Sequence, residues 1–175
     1  MKGGNSILLN TRKTWDEYFM DLAYMASTRA TCPRRHVGAI LTKNNKVLGT
    51  AYNGSPSGTV SCLDEGCLFQ DYFEPDEQGN PVHKKKCIRT IHAEQNLLLF
   101  TDQIDRERAT LYVTDQPCWT CANLIANSGI VQVVYHRDYK KDHEKVANLF
   151  QQKDIGFRRL QTYTPPHGIK IEVVD

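Results

Sequence analysis

The stretch from His92 to Cys121 constrains this chain more than any other. It opens on His92-Ala93-Glu94 and closes on Pro117-Cys118-Trp119-Thr120-Cys121. One imidazole and two thiolates are good donors for Zn2+, which prefers nitrogen and sulfur ligands in a tetrahedron. Three protein ligands leave a fourth corner open, which separates catalytic zinc sites from closed structural ones. Any fold must therefore carry His92 back against Cys118 and Cys121 across a helix-length and a strand-length segment. Glu94 stands two residues past the histidine. In the first turn of a helix it can project near the metal without binding it, where a carboxylate takes a proton from water and hands it on. Cys118 and Cys121, three residues apart, share one side of a helix start, whose dipole favours thiolates. Two plainer readings use the same residues. A closed zinc knuckle would leave Glu94 as a surface charge, and a redox dithiol would need only the two cysteines. The first has no use for the carboxylate, and the second has none for His92-Ala93-Glu94.

The bulk properties narrow the field. A chain of 175 residues is long enough to bury a substantial core and suits one domain over 1–175. Its net charge of +2, with acids and bases interspersed, argues against a protein held to nucleic acid by a general positive field. The basic run His83-Lys84-Lys85-Lys86 reads as a solvated loop. No apolar stretch reaches the ~18–20 residues that span a bilayer. Met1 to Asn10 lacks the apolar region and cleavage site of a signal peptide, so a cytoplasmic location is expected. In such a compartment the six cysteines are better suited to metal than to disulfides.

Along the chain, Thr14 and Glu17 form a capping box for a first helix ending near Ala30, with Trp15, Tyr18, Phe19, Leu22, Met25 and Ala26 as its apolar stripe. Val37 to Thr42 and Val47 to Tyr52 form a hairpin around the polar turn Lys43 to Lys46. Asn53 to Gly58 is a sharp turn, in which Asn53 suits a left-handed backbone. Residues 59–89 lose all periodicity and read as a long structureless insert that something else must order. Cys62, Cys67 and Cys87 lie in it, and with Cys32 they could hold a second, structural Zn2+, His83 being a substitute ligand. The alternative is four free buried thiols. Beyond Ile91 the order is helix (Ala93 to Phe100), strand (Thr110 to Thr114), helix (Cys118 to Ser128, closing at Gly129), strand (Ile130 to Tyr135), helix (Asp142 to Gln152) and strand (Ile155 to Leu160). The tail, 164–175, is weakly determined, although Ile169 to Val174 alternates like an edge strand. Strands alternating with helices imply crossovers and a mixed sheet covered by helices.

His-x-Glu followed by Pro-Cys-x-x-Cys is the signature of the zinc nucleobase deaminases. Further segments narrow the likeness. Ser27 to Arg34, Val37-Gly38-Ala39, Tyr52-Asn53-Gly54-Ser55-Pro56, Cys62-x4-Cys67, Cys87 to Glu94 and Thr114 to Cys118 together resemble the deoxycytidylate (dCMP) deaminase family, from about Trp15 to Lys140. The resemblance implies a cytidine-deaminase-like α/β/α three-layer fold on a mixed, roughly five-stranded sheet. It implies zinc-dependent hydrolysis of dCMP to dUMP and ammonia, feeding thymidylate synthesis. It implies a homohexamer, activated by dCTP and inhibited by dTTP with Mg2+. Some members carry a second zinc in the insert. By the same likeness His92, Cys118 and Cys121 hold the catalytic zinc, Glu94 moves the protons, and Asn53 touches the deoxyribose. The Ala93 backbone N–H is a donor for the pyrimidine carbonyl. Tyr139 either closes over the base or simply packs.

A nucleotide substrate also needs a phosphate site. Arg29, Arg34, Arg35, Lys84, Lys85, Lys86, Arg89 and Arg137 are all candidates, and spacing does not choose among them. Competing functions are a deaminase of another substrate (dCTP, cytidine, guanine or tRNA adenosine) and a zinc-stabilised binding module without chemistry. A tRNA editor would want a broad basic face with stacking aromatics, and the near-neutral charge and mixed acidic and basic insert speak against it.

Overall fold

The computed structural model describes residues 12–76, 78–139, 142–166 and 169. The proposed edge strand of the tail, Ile169 excepted, and the segment Met1 to Asn10 lie outside them. In chain order the elements are α1 (Trp15–Ser27), β1 (Gly38–Lys43), β2 (Lys46–Tyr52), α2 (Cys62–Glu65), β3 (Phe69–Pro75), β4 (Pro81–Cys87), α3 (Ala93–Leu99), α4 (Gln103–Arg106), β5 (Thr110–Asp115), α5 (Trp119–Ala126), β6 (Gln132–Arg137), α6 (His143–Gln152) and β7 (Gly156–Arg159). Five strands form one mixed sheet in the order β2-β1-β5-β6-β7. β1 runs antiparallel to both β2 and β5, whereas β5, β6 and β7 are parallel. The two parallel steps are the crossovers that the helix–strand alternation required.

Period-two alternation in the central strands builds two cores. Ala39, Leu41, Leu111, Val113, Val133 and Tyr135 point to one face and pack with Leu97 of α3, Ile125 of α5 and Phe150 of α6. Ile40, Tyr112 and Val134 point to the other face and meet Phe19, Met20, Ala23 and Tyr24 of α1. Helices thus cover both faces, giving the three layers of a cytidine-deaminase-like α/β fold. No helix among the described residues is long and apolar enough to cross a membrane.

Several local signals hold. Thr14 and Glu17 make the capping box, each bonding the other's backbone N–H. The β1–β2 hairpin closes through Asn44 and Asn45, both left-handed with φ of 51° and 58°, the primed turn that matches strand twist. The stripe assigned to α1 is displaced, however. Trp15, Tyr18 and Met25 are exposed, while Met20, Ala23 and Tyr24 are buried. The helix is apolar on more than one side, and the sheet selects the side carrying Ala23 because β1 approaches very closely there. The C-cap of α5 is Asn127, with Gly129 two residues beyond at φ 90°.

The insert is a correction. Residues 59–89 are not structureless: α2 is followed by a two-stranded antiparallel ribbon, β3 paired with β4. The ribbon buries little apolar surface, so it shows no hydrophobic alternation. Cross-strand charge supports it instead, with Lys84 Nζ 2.7 Å from Glu74 and His83 Nε2 2.7 Å from Asp71. The basic run therefore lies on a strand.

Gly38 marks the close approach of β1 to α1. A methyl group there would overlap the Ala23 carbonyl oxygen and press on the Ser27 amide, both backbone groups that cannot swing away. Gly38→Ala is expected to cost on the order of 3 kcal/mol of stability, read from urea unfolding midpoints. An unchanged midpoint would show that α1 can shift freely.

Candidate active site

The site grows from two helix starts at the carboxyl end of β5. His92 is the N-cap of α3, and Cys118 is the N-cap of α5, with Cys121 in its first turn. The segment before His92 is fixed by a two-bond bridge: Gly54 N–H donates to the Ile91 carbonyl at 3.1 Å and Ile91 N–H to the Gly54 carbonyl at 2.9 Å. Asn96 of α3 adds a bond to the Tyr52 carbonyl at 2.9 Å. On the other side, β5 delivers Asp115-Gln116-Pro117 straight into Cys118. The two helices then lie side by side over the same core.

Their meeting places His92 Nδ1 3.6 Å from Cys118 Sγ and 3.4 Å from Cys121 Sγ. Tetrahedral ligands with Zn–S near 2.3 Å and Zn–N near 2.05 Å stand about 3.6 Å apart. The three donors therefore fit one Zn2+ without rearrangement, with Nδ1 as the histidine donor. Glu94 is 4% exposed, lines the same cavity as His92 and Cys118, and its charge helps push Cys121 up. It therefore lies against the ligand set. Burial pushes Glu94 up to about 7, opposed by the charge of His92. Its proton is thus poised for transfer near neutral pH.

The ligand cluster polarises itself. The hydrogen bond from Cys121, aided by His92, pulls the Cys118 thiol down to about 4. The same bond to Cys118, together with burial, pushes Cys121 strongly up. Hydrogen bonding to Cys118 raises His92 to about 9, with burial opposing and Glu94 assisting.

A cavity of about 400 Å³ opens over these residues. Ala93 and Asn53 line it, as do Tyr139 and Cys32. Asn53 does not take the left-handed backbone its turn suggested. Instead its side chain is spent on neighbouring main chain: Oδ1 accepts from Val37 N–H at 2.8 Å, and Nδ2 donates to the Arg35 carbonyl at 2.8 Å. Tyr139 stands over the Arg35 guanidinium, 5.2 Å from ring centroid to Cζ. Of the phosphate candidates, Arg34, Arg35, Lys85 and Lys86 reach the cavity wall. Arg29, Lys84, Arg89 and Arg137 are not among its lining residues. Arg89 instead donates to the Val60 carbonyl at 3.2 Å, and Arg137 is engaged by Asp115 and the His36 carbonyl.

Two wall residues escaped the sequence reading as site residues. Asp115 is buried and holds both Arg35 and Arg137. Gln116 is buried, its Oε1 accepts a hydrogen bond from His143 Nδ1–H at 2.7 Å, and its Nε2 is left without a partner among the described residues. The only available signal was their place directly ahead of Pro117-Cys118.

A second cluster forms in the insert. The donor atoms of Cys62, Cys67 and Cys87 all lie within 4.8 Å of one another, with Cys62 and Cys87 sulfurs 3.6 Å apart. Cys32 does not join them among the described residues; it is buried in the cavity wall. Nor does His83, whose ring is committed to Asp71. It sits four residues up β4 from Cys87, about 13 Å along a strand.

This fold, with a zinc donor set and a buried carboxylate at the carboxyl end of a central strand, defines the zinc-dependent deaminase class of α/β proteins. The chain belongs to the cytidine and deoxycytidylate deaminase zinc-binding family, whose pattern matches residues 13–137. It is 41% identical over 128 residues to the deoxycytidylate deaminase of Mycobacterium phage D29, covering 73% of this chain and 98% of the relative. It is 36% identical over 152 residues to ComE operon protein 2 of Bacillus subtilis (strain 168), covering 86% and 73%. Among solved structures it resembles the dCMP deaminase of cyanophage S-TIM5, crystallised with dCMP and dUMP, at a TM-score of 0.62 and 26% identity, covering 86% of this chain and 99% of that one.

The protonation pattern has a measurable consequence. Near pH 7, His92 and Cys121 carry protons that Zn2+ must displace, whereas Cys118 is already a thiolate. Zinc uptake by the metal-free protein is expected to release about two protons from this cluster. An indicator-dye titration, run on a protein whose insert cysteines are changed to serine, measures it. Release near zero would remove these residues as ligands.

Proposed function

We propose that this protein hydrolyses dCMP to dUMP and ammonia, with His92, Cys118 and Cys121 holding Zn2+ and Glu94 as the proton carrier. The observation that carries the reading is a buried carboxylate beside a three-donor set spaced for zinc. Zinc, when bound, lowers the pKa of a water from 15.7 to about 7, so that hydroxide is available for attack at C4 of the base. Glu94 receives the proton that water gives up and delivers it to N3. Glu94 then takes the proton of the new C4 hydroxyl and passes it to the departing amino group, which leaves as ammonia while C4 becomes a carbonyl. The carboxyl's position near pH 7 suits a group that must both take and give a proton. The Ala93 N–H, at the start of α3, has no acceptor within the helix and is available to the pyrimidine carbonyl. Asn53 lies where a deoxyribose contact is feasible, and Tyr139 forms part of the same wall.

The wider reading follows the family. The chain would act as one catalytic unit over 1–175, in the cytoplasm, supplying dUMP for thymidylate synthesis. It would be a homohexamer, activated by dCTP and inhibited by dTTP with Mg2+. Self-association is supported by the exposed Leu99, Phe100 and Ile104 beside α3 and α4, which are 71%, 78% and 74% exposed. A second, structural Zn2+ at Cys62, Cys67 and Cys87 is supported by their spacing, since thiolates on one zinc stand about 3.8 Å apart.

Glu94→Gln should keep the catalytic zinc yet lose at least ~10³-fold in turnover. Metal analysis with an absorbance assay on dCMP, dCTP, cytidine and deoxycytidine decides this. Undiminished turnover would remove Glu94 from the chemistry, and preference for another substrate would overturn the dCMP assignment. Zinc content should fall from about two per chain to about one in Cys62→Ser/Cys87→Ser. A value of one in the unaltered protein would leave the insert thiols free.

A further inference from the structure

We propose that Cys62 and Cys87 form an oxidisable pair, which hydrogen peroxide joins in a disulfide that takes the place of the insert's metal and keeps the base of the ribbon closed. The displacement of zinc rests on the second-zinc reading above; the disulfide rests on the sulfur geometry alone. All six cysteines are free thiols. Cys62 opens α2 and Cys87 ends β4, so the pair brackets the whole insert. Their sulfurs are in contact at 3.6 Å, and Cys67 completes the cluster. Thr90 Oγ1 lies 3.5 Å from Cys62 Sγ and 3.9 Å from Cys87 Sγ, so one hydroxyl touches both. Closing the pair to the ~2.05 Å of a disulfide is a shift of about 1.5 Å, which side-chain rotation at two residues can supply.

Exposure assigns the two roles. Cys87 is partly exposed and lines the cavity of about 400 Å³, whereas Cys62 is 2% exposed. A small oxidant entering the cavity therefore meets Cys87 first. Its sulfur attacks one oxygen of hydrogen peroxide, the O–O bond breaks and one water leaves, giving a sulfenic acid. Cys62 Sγ then attacks that sulfur, the S–O bond breaks and a second water leaves. The two sulfurs lose two electrons, peroxide gains them, and the two thiol protons end in the waters; where zinc had displaced those protons, solvent supplies them. Cys118 also lines the cavity. Three thiolates outweigh the charge of one Zn2+, however, whereas two thiolates and an imidazole only balance it, so the insert sulfurs stay the more nucleophilic. Oxidation leaves Cys67 as a single thiol, too few donors for Zn2+. Metal and disulfide are thus exclusive states of one cluster. Each closes the same 62–87 loop, and that loop carries Tyr72, Lys85 and Lys86 into the cavity wall. The wall keeps a staple when the metal is lost.

The test treats the zinc-loaded protein with an equimolar amount of hydrogen peroxide. Mass spectrometry of a non-reducing digest maps the disulfides, and an indicator dye follows zinc. A linked Cys62–Cys87 peptide pair is expected, with about one Zn2+ released per chain, and dithiothreitol with Zn2+ should restore the starting state. The same link should form in Cys67→Ser, whereas Cys62→Ser should stop Cys87 at the sulfenic acid, where dimedone traps it. KM for dCMP should rise less than about twofold on oxidation of the wild type, but by roughly fivefold or more in Cys62→Ser/Cys87→Ser, which has neither staple. A first link between Cys118 and Cys121, a Cys87 sulfinic acid beside a Cys62 thiol, or an unmodified Cys87 would overturn the pairing. A Cys62–Cys87 link formed without zinc release, in a protein that held one zinc per chain at the outset, would support the pair and remove the metal displacement together with the second-zinc reading.

Discussion

Two helix starts meet over one end of the sheet, and the donor set exists only because they do. His92 ends the approach to α3, and Cys118 ends the approach to α5. Each helix start presents unpaired amide groups and the positive end of a dipole, which stabilises anionic sulfur. The helices are held adjacent by Leu97, Ala122 and Ile125, all buried in the same core. That core also seals Glu94 away from solvent, and burial is what lifts its carboxyl from the ordinary range to about 7. Metal geometry and acid–base tuning therefore have one origin, the packing of α3 and α5 against β5.

The cavity walls depend on polar networks rather than apolar packing. Asn53 fastens the main chain at Arg35 and Val37, Asp115 fastens the guanidiniums of Arg35 and Arg137, and the Gly54–Ile91 bridge ties the turn to the histidine segment. Buried polar groups that satisfy one another define a single arrangement at high cost of disruption. The ribbon β3–β4 completes the wall with Tyr72, Lys85 and Lys86 although it buries little itself. Its base is pinned where Cys87 meets Cys62 and Cys67.

Much of the architecture was readable because its causes are local. Strands β1, β5 and β6 are apolar on both faces because helices cover both, so they appear as continuous β-branched runs. The capping box at Thr14 and the Asn44-Asn45 turn act within four residues. Legibility failed where the deciding partner is distant or polar. The α1 stripe was displaced because β1, through Gly38, selects which side of an apolar helix is buried. The ribbon was missed because charge pairs such as Lys84–Glu74 leave no hydrophobic period. The four-residue α4 is shorter than any periodicity can register.

By itself the sequence determined the donor types, their order and the carboxylate beside them, because His-x-Glu and Cys-x-x-Cys place their side chains through the geometry of a single helix turn. It also determined the alternation of strands and helices that makes a layered mixed sheet. Tertiary structure alone decided that Nδ1 faces the two sulfurs, that Cys62, Cys67 and Cys87 gather without Cys32 among the described residues, and that Asp115 holds both Arg35 and Arg137. Those outcomes are distances between segments far apart in the chain. They follow from how the sheet and its loops pack, which no local spacing of residues encodes.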